Sequence, residues 1–129
     1  MDDHLERELI EAYPMLYDHD AAPSYGTTDF PIECDDGWYP LVDGVSAAVS
    51  AYAETWDEEI RFVQVKQKFG ELRIYAKPSP ASVTAMIALA TELSTRTCER
   101  CSRMAGAAVR DDDGWYRTLC NSCWEESES

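Results

Sequence analysis

Four cysteines near the end of the chain have a spacing that points to chemistry: Cys98, Cys101, Cys120 and Cys123 read C-x2-C-x18-C-x2-C. A C-x2-C pair is a tight knuckle whose two sulfurs converge on one point, and two knuckles complete a tetrahedron around one zinc ion. Both histidines, His4 and His19, lie far upstream. The expected ligand set is therefore four thiolates and no imidazole, with both histidines as ordinary surface or interior residues. Four thiolates close the coordination sphere and leave no position for water, which favours a structural zinc over a catalytic one. Two disulfides are the alternative, and a reducing cytoplasm disfavours them. Cys34 stands alone and reads as a buried or partly buried thiol, with a fifth-ligand or reactive role as the minor alternative.

The elements that must position the knuckles follow from the residues between them. Ala107-Ala108-Val109-Arg110 can lead into a turn at Asp111-Asp112-Asp113-Gly114, and Trp115-Tyr116-Arg117-Thr118-Leu119 can return to the second knuckle. A hairpin with a knuckle at each end is the zinc-ribbon layout. A module of about thirty residues has too small a core to fold alone, so the metal is expected to stabilise it. Residues 97–124 form this ribbon, and 125–129 read as a frayed acidic tail.

Residues 1–96 read as an acidic α+β domain on which the ribbon packs. A helix is expected at about 2–13, where Leu5, Leu9 and Ile10 share a face. Residues 14–36 carry Pro23, Gly26 and Pro31 without a sustained period and read as a loop with at most short ordered pieces. A second helix is expected at about 40–56, with Pro40 in its first turn and an apolar stripe from Leu41 to Trp56. A hairpin is expected at about 60–77, turning near Lys68-Phe69-Gly70. Val63, Val65, Leu72, Ile74 and Ala76 would then point inward. Ile60 and Phe62 are out of phase with Val63 and Val65, which implies burial on both faces or a bulge. A third helix is expected at about 80–95. The fold class is thus α+β, a hairpin or small antiparallel sheet packed by two or three helices, with a C-terminal zinc ribbon. Asp-Asp-Gly-Trp-Tyr occurs twice, at 35–39 and 112–116, and reads as two separate turns. Trp38 and Trp115 are both expected to be buried.

Charge narrows the partners. The net charge is −14, and it is uneven. Residues 1–59 hold sixteen acidic side chains against Arg7, giving −15; residues 60–96 carry +4 and residues 97–129 carry −3. Such a field keeps a small protein in solution, favours basic protein partners and disfavours nucleic acid. The basic surface that remains is the outward face of the hairpin, Lys66, Arg73, Tyr75 and Lys77, with Lys68 at the turn. A basic face bearing a tyrosine can contact phosphates or stack a base. It can equally be a solvated face that pairs with the chain's own acids. No apolar run approaches the ~18 residues of a membrane span. The Met1-Asp2-Asp3-His4 start is acidic where a secretion signal would be basic, so a cytoplasmic protein is expected. No Gly-rich phosphate loop, nucleophile elbow or open metal triad is present, so the expectation is not an enzyme.

Three stretches occur in an order that resembles a known family. They are Gly37-Trp38-Tyr39-Pro40-Leu41, the run from Gln64 to Tyr75 (QVKQKFGELRIY), and Cys98-x-x-Cys101 followed by Gly114-Trp115 and Thr118-Leu119-Cys120. The family comprises small proteins encoded in bacterial phages and prophages, and the resemblance covers about residues 30–124. Ser102 stands where such knuckles usually carry glycine. The resemblance implies a phage accessory protein acting in a host cytoplasm and implies no activity. Together with the charge, it leads to an expected interaction protein that engages a host protein, such as a defence effector or DNA-binding protein, through acidic surface. The alternative is a nucleic-acid-binding accessory factor using the hairpin face and the ribbon.

Overall fold

The computed structural model describes residues 1–17 and 32–128. His19, the 18–31 part of the expected loop and Ser129 lie outside the described residues. Asp2 caps the first helix, α1 (Asp3–Ala12), by accepting the His4 N–H at 2.8 Å. Asp3 and Glu6 follow in the first turn, where the helix dipole favours negative charge. The chain then buries Leu16 and Tyr17, and the Tyr17 hydroxyl shares a 2.7 Å hydrogen bond with Ser46.

The second helix, α2 (Tyr39–Trp56), carries Pro40 in its first turn and faces Val42, Val45, Val49 and Ala53 to the core. It ends at Asp57 in the left-handed conformation, φ 51°. Glu54, Asp57, Glu58 and Glu59 crowd this end without a basic residue in the last turn, against the helix dipole. Gly44 sits exposed in the helix interior, and among the described residues nothing lies within 4 Å of where its Cβ would be. A glycine there costs about 1 kcal/mol relative to alanine.

The strands β2 (Arg61–Lys68) and β3 (Glu71–Lys77) form the expected hairpin. Its two-residue turn is Phe69-Gly70, with φ +55° and +81°, as a type I′ turn requires. Val65, Leu72 and Ile74 are buried and Ala76 is half-buried, as alternation demands. Val63 is a correction: a bulge between Phe62 and Gln64 leaves it 39 % exposed and lets Ile60 and Phe62 enter the core. One of the short ordered pieces allowed in the 14–36 loop is β1 (Ile32–Glu33), which pairs parallel to β2 with Ile32 opposite Val65 and Glu33 opposite Lys66. The sheet is therefore mixed, in the order β1-β2-β3. Two residues are too few to carry a period, so no pattern marked this strand.

The third helix, α3 (Ala81–Ser94), packs on α2 and β3. It also closes the outer edge of β3. Ser94 Oγ accepts the Leu72 N–H at 2.9 Å, and Thr91 Oγ1 donates to the Leu72 carbonyl at 2.9 Å. In the ribbon, β4 (Ala108–Asp112) and β5 (Trp115–Leu119) pair antiparallel. The expected tail is a further correction: residues 121–128 form a helix, α4 (Asn121–Glu128). Its anchor is Trp124, half-buried against the ribbon core and within cation–π reach of Arg110 (5.7 Å).

Two cores result. The larger runs from Leu9 to Ala90 through all three upstream helices and the sheet, with Trp38 fully buried in it. The ribbon's own buried cluster is Cys98, Leu119, Cys120 and Cys123. Three of these four are proposed ligands, so the ribbon has almost no apolar core apart from its metal site. No described helix is long and apolar enough to cross a membrane.

Candidate metal centre

The first knuckle is closed by its own backbone. The Cys98 N–H donates to the Arg103 carbonyl at 2.8 Å, and the Ser102 N–H to the Cys98 carbonyl at 2.9 Å. Ser102 has φ +72°, the conformation that explains the usual glycine. The serine keeps that geometry, and its hydroxyl donates to the Gly37 carbonyl at 2.6 Å. Cys120 ends the return from β5, and Cys123 lies in the first turn of α4, where the Trp124 N–H donates to the Cys120 carbonyl at 2.9 Å.

These elements bring all four cysteines together. Their sulfurs lie within 4.8 Å of one another, with Cys101 and Cys120 Sγ 3.7 Å apart. A tetrahedral site with metal–sulfur bonds of about 2.3 Å has sulfurs about 3.8 Å apart. All five cysteines are free thiols. Sulfurs at this spacing could hold one metal ion, and no pair stands at the roughly 2.05 Å of a disulfide bond. The donor set fits one thiophilic ion. Cys98, Cys120 and Cys123 are buried and Cys101 is exposed, so the site lies under one surface of the ribbon.

The thiols differ in how readily they ionise. Burial raises the Cys98 pKa, but backbone N–H groups of Cys120, Cys101 and Arg100 outweigh it and bring the thiol to about 7. Burial and the neighbouring thiols push Cys123 up to about 12. Cys98 is thus the readiest of this pair to become the thiolate that a metal needs. Cys34 is buried outside the cluster, and burial pushes it up to about 12.

The cluster is docked on the α+β domain by residues that the spacing of cysteines did not reveal. The Gly37 N–H donates to the Glu99 carbonyl at 2.6 Å, and Trp38 Nε1 donates to the Thr97 carbonyl at 2.9 Å. A Cβ on Gly37 would collide with the Cys98 carbonyl and the Glu99 backbone. Glu99 is itself buried; burial, then the nearby Asp35, raises its pKa, while Gln67 Nε2 donates to it at 3.3 Å. Thr118 Oγ1 donates to the Gly70 carbonyl at 2.7 Å, which ties β5 to the turn of the β2–β3 hairpin. The available signals were the Gly-Trp pair at 37–38 and Ser102 in the knuckle. Neither says what it touches.

The hairpin residues also share one face. Gln64 lies opposite Tyr75, Lys66 opposite Arg73 and Lys68 opposite Glu71. Lys77 and Lys68 are exposed at opposite ends, and Tyr75 is exposed between them. Acids are interleaved: Glu71 pairs with Arg73 at 2.9 Å, and Glu33 flanks Lys66 across β1. Trp115 departs from expectation. It is 77 % exposed near the tip of the ribbon hairpin. Set against known proteins, the chain matches no family model, no curated protein and no solved structure.

Proposed function

We propose that this chain is a non-enzymatic interaction protein stapled by one structural zinc ion, and that it binds a basic bacterial host protein through its acidic surface. Four thiolates at tetrahedral spacing favour zinc, which needs no other ligand there. The observation that carries the binding role is where the acidic charge stands. Asp3, Glu8 and Glu11 on α1 and Glu54, Asp57 and Glu59 at the end of α2 are all exposed. Beside the second group lies a groove of about 420 Å³, lined by Tyr13, Pro14, Met15 and Ala53 together with Glu54, Asp57, Glu58 and Glu59. Carboxylates at a helix C-terminus weaken the helix, so their concentration there is not explained by stability. A segment bearing lysine or arginine beside an apolar side chain complements such a groove.

The motif resemblance to phage and prophage proteins supports a host cytoplasm as the setting. A defence effector or DNA-binding protein, whose nucleic-acid site the acidic half imitates, is the target class. The test is a tagged capture from bacterial lysate, split into nuclease-treated and untreated halves, at about 50 mM and about 500 mM salt, read by mass spectrometry. A stoichiometric basic protein, held at low salt and released at high salt, is expected. Retention unchanged by salt would count against an electrostatic mimic. Recovery that vanishes with nuclease would favour the second reading, nucleic acid on the Lys66–Arg73 face, which the strand register supports. Lys66→Glu with Arg73→Glu would then abolish recovery.

A further inference from the structure

We infer that the chain pairs with a second copy of itself through the outward face of α2 and α3, the Leu89 of each copy entering the groove of the other. The two helices pack side by side and leave between them a groove of about 280 Å³, whose lining includes Pro40, Leu41, Gly44, Met86 and Leu89. This face is distinct from the acidic surface proposed above, and it differs in character from the rest of the molecule.

Charge favours a second copy as the occupant. The exposed positions of α2 between its first and last turns, Gly44, Ala47 and Ala51, are uncharged, and the acid Glu54 enters only in the last turn. The only charged residue of α3 is Glu92, which Arg96 pairs one turn later. In a chain of net charge −14, two like-charged copies can meet here without setting carboxylate against carboxylate. The one acid that α3 offers a basic partner, Glu92, is already paired by Arg96.

Shape agrees. Gly44 weakens its helix, and among the described residues nothing occupies the space its missing Cβ leaves. A glycine here leaves the α2 backbone open to close approach by a second copy. Leu89, 62 % exposed, stands at the edge of the same groove. A two-fold interface requires one surface to present both the protruding side chain and the recess that receives it. The footprint is modest. α3 is about 21 Å long and the helix pair about 20 Å wide. That is roughly 400 Å² per partner, against about 800 Å² in a standard interface, so pairing should be weak, with dissociation at roughly 100 µM.

The experiment is sedimentation equilibrium on the full metal-loaded chain, from about 1 µM to about 500 µM. The mass should rise from 14.6 kDa toward twice that value. Added salt should strengthen the association by screening repulsion between the copies. Leu89→Glu alters an exposed residue and should weaken pairing at least about tenfold with an unchanged circular dichroism spectrum. Gly44→Ala should raise the melting temperature and yet weaken pairing by roughly tenfold. Those opposed signs would not arise from a residue serving only the monomer. A monomer mass at every concentration would overturn the inference, as would a dimer indifferent to both substitutions. A monomeric chain that captures a different protein, sensitive to both substitutions, would also overturn it.

Discussion

Asp-Asp-Gly-Trp-Tyr at 35–39 and the same five residues at 112–116 take different structures. The first forms a 3-10 turn, Asp36–Trp38, that runs into α2, and its tryptophan is 0 % exposed. The second spans the β4–β5 turn, with Gly114 at φ +93° and its tryptophan 77 % exposed. The glycines differ most. Gly37 is pressed against the backbone of the first knuckle, whereas among the described residues Gly114 has nothing within 4 Å of its Cβ position. One glycine is needed for a close approach and the other for a left-handed turn. Identical local sequence thus serves two purposes, because only the first segment has a large apolar core behind it and a cysteine knuckle in front of it.

The largest effect should come from removing the metal. The second pentapeptide sits in a module whose buried cluster is Leu119 and three thiols, whereas the first is anchored in the larger core. A structural zinc contributes on the order of 10 kcal/mol to such a module. Chelation should therefore erase ordered amide signals across 98–124 while Trp38 stays shielded from acrylamide quenching. Loss of both together would show that the two pentapeptides depend equally on the metal.

The tryptophans should separate next. Trp38→Ala empties a core site and leaves the Thr97 carbonyl without its indole donor, costing about 3–5 kcal/mol. Trp115→Ala should stay within about 0.5 kcal/mol of the parent. Urea unfolding of the metal-loaded proteins reads both, and equal losses would erase the contrast. The glycines come third. Gly37→Ala should cost about 1–3 kcal/mol and weaken zinc retention against a competing chelator. Gly114→Ala should cost about 1 kcal/mol, through its positive φ, and leave zinc retention alone. Ser102→Ala removes the 2.6 Å bond to the Gly37 carbonyl and should cost about 1 kcal/mol, the smallest change that still reaches the docking of the first pentapeptide.

Much of this architecture was legible where a period or a spacing carried it. The α2 and α3 helices, the β2–β3 hairpin and the four sulfurs follow from repeats of three to four, of two, and of C-x2-C. β1 was not legible because two residues have no period. α4 was not, because eight residues with Trp124 as their main apolar contact look like a polar tail. Val63 pointed the wrong way because a bulge reverses the alternation that placed it. Trp115 was misread because residue type alone implies burial, whereas its strand pairs at the far end of a ribbon with no apolar layer to cover it. The docking of Gly37 on Glu99 joins residues far apart in sequence, and no local pattern encodes such a contact.

The most direct measurement is the zinc content of protein purified without chelator, by elemental analysis and native mass spectrometry, with the thiols counted by alkylation before and after metal removal. About one zinc per chain is expected, with Cys98, Cys101, Cys120 and Cys123 protected until the metal is stripped. Protein that is fully folded through residue 124 with no bound metal and all four of these thiols free to react would contradict the assignment of a metal-stapled ribbon.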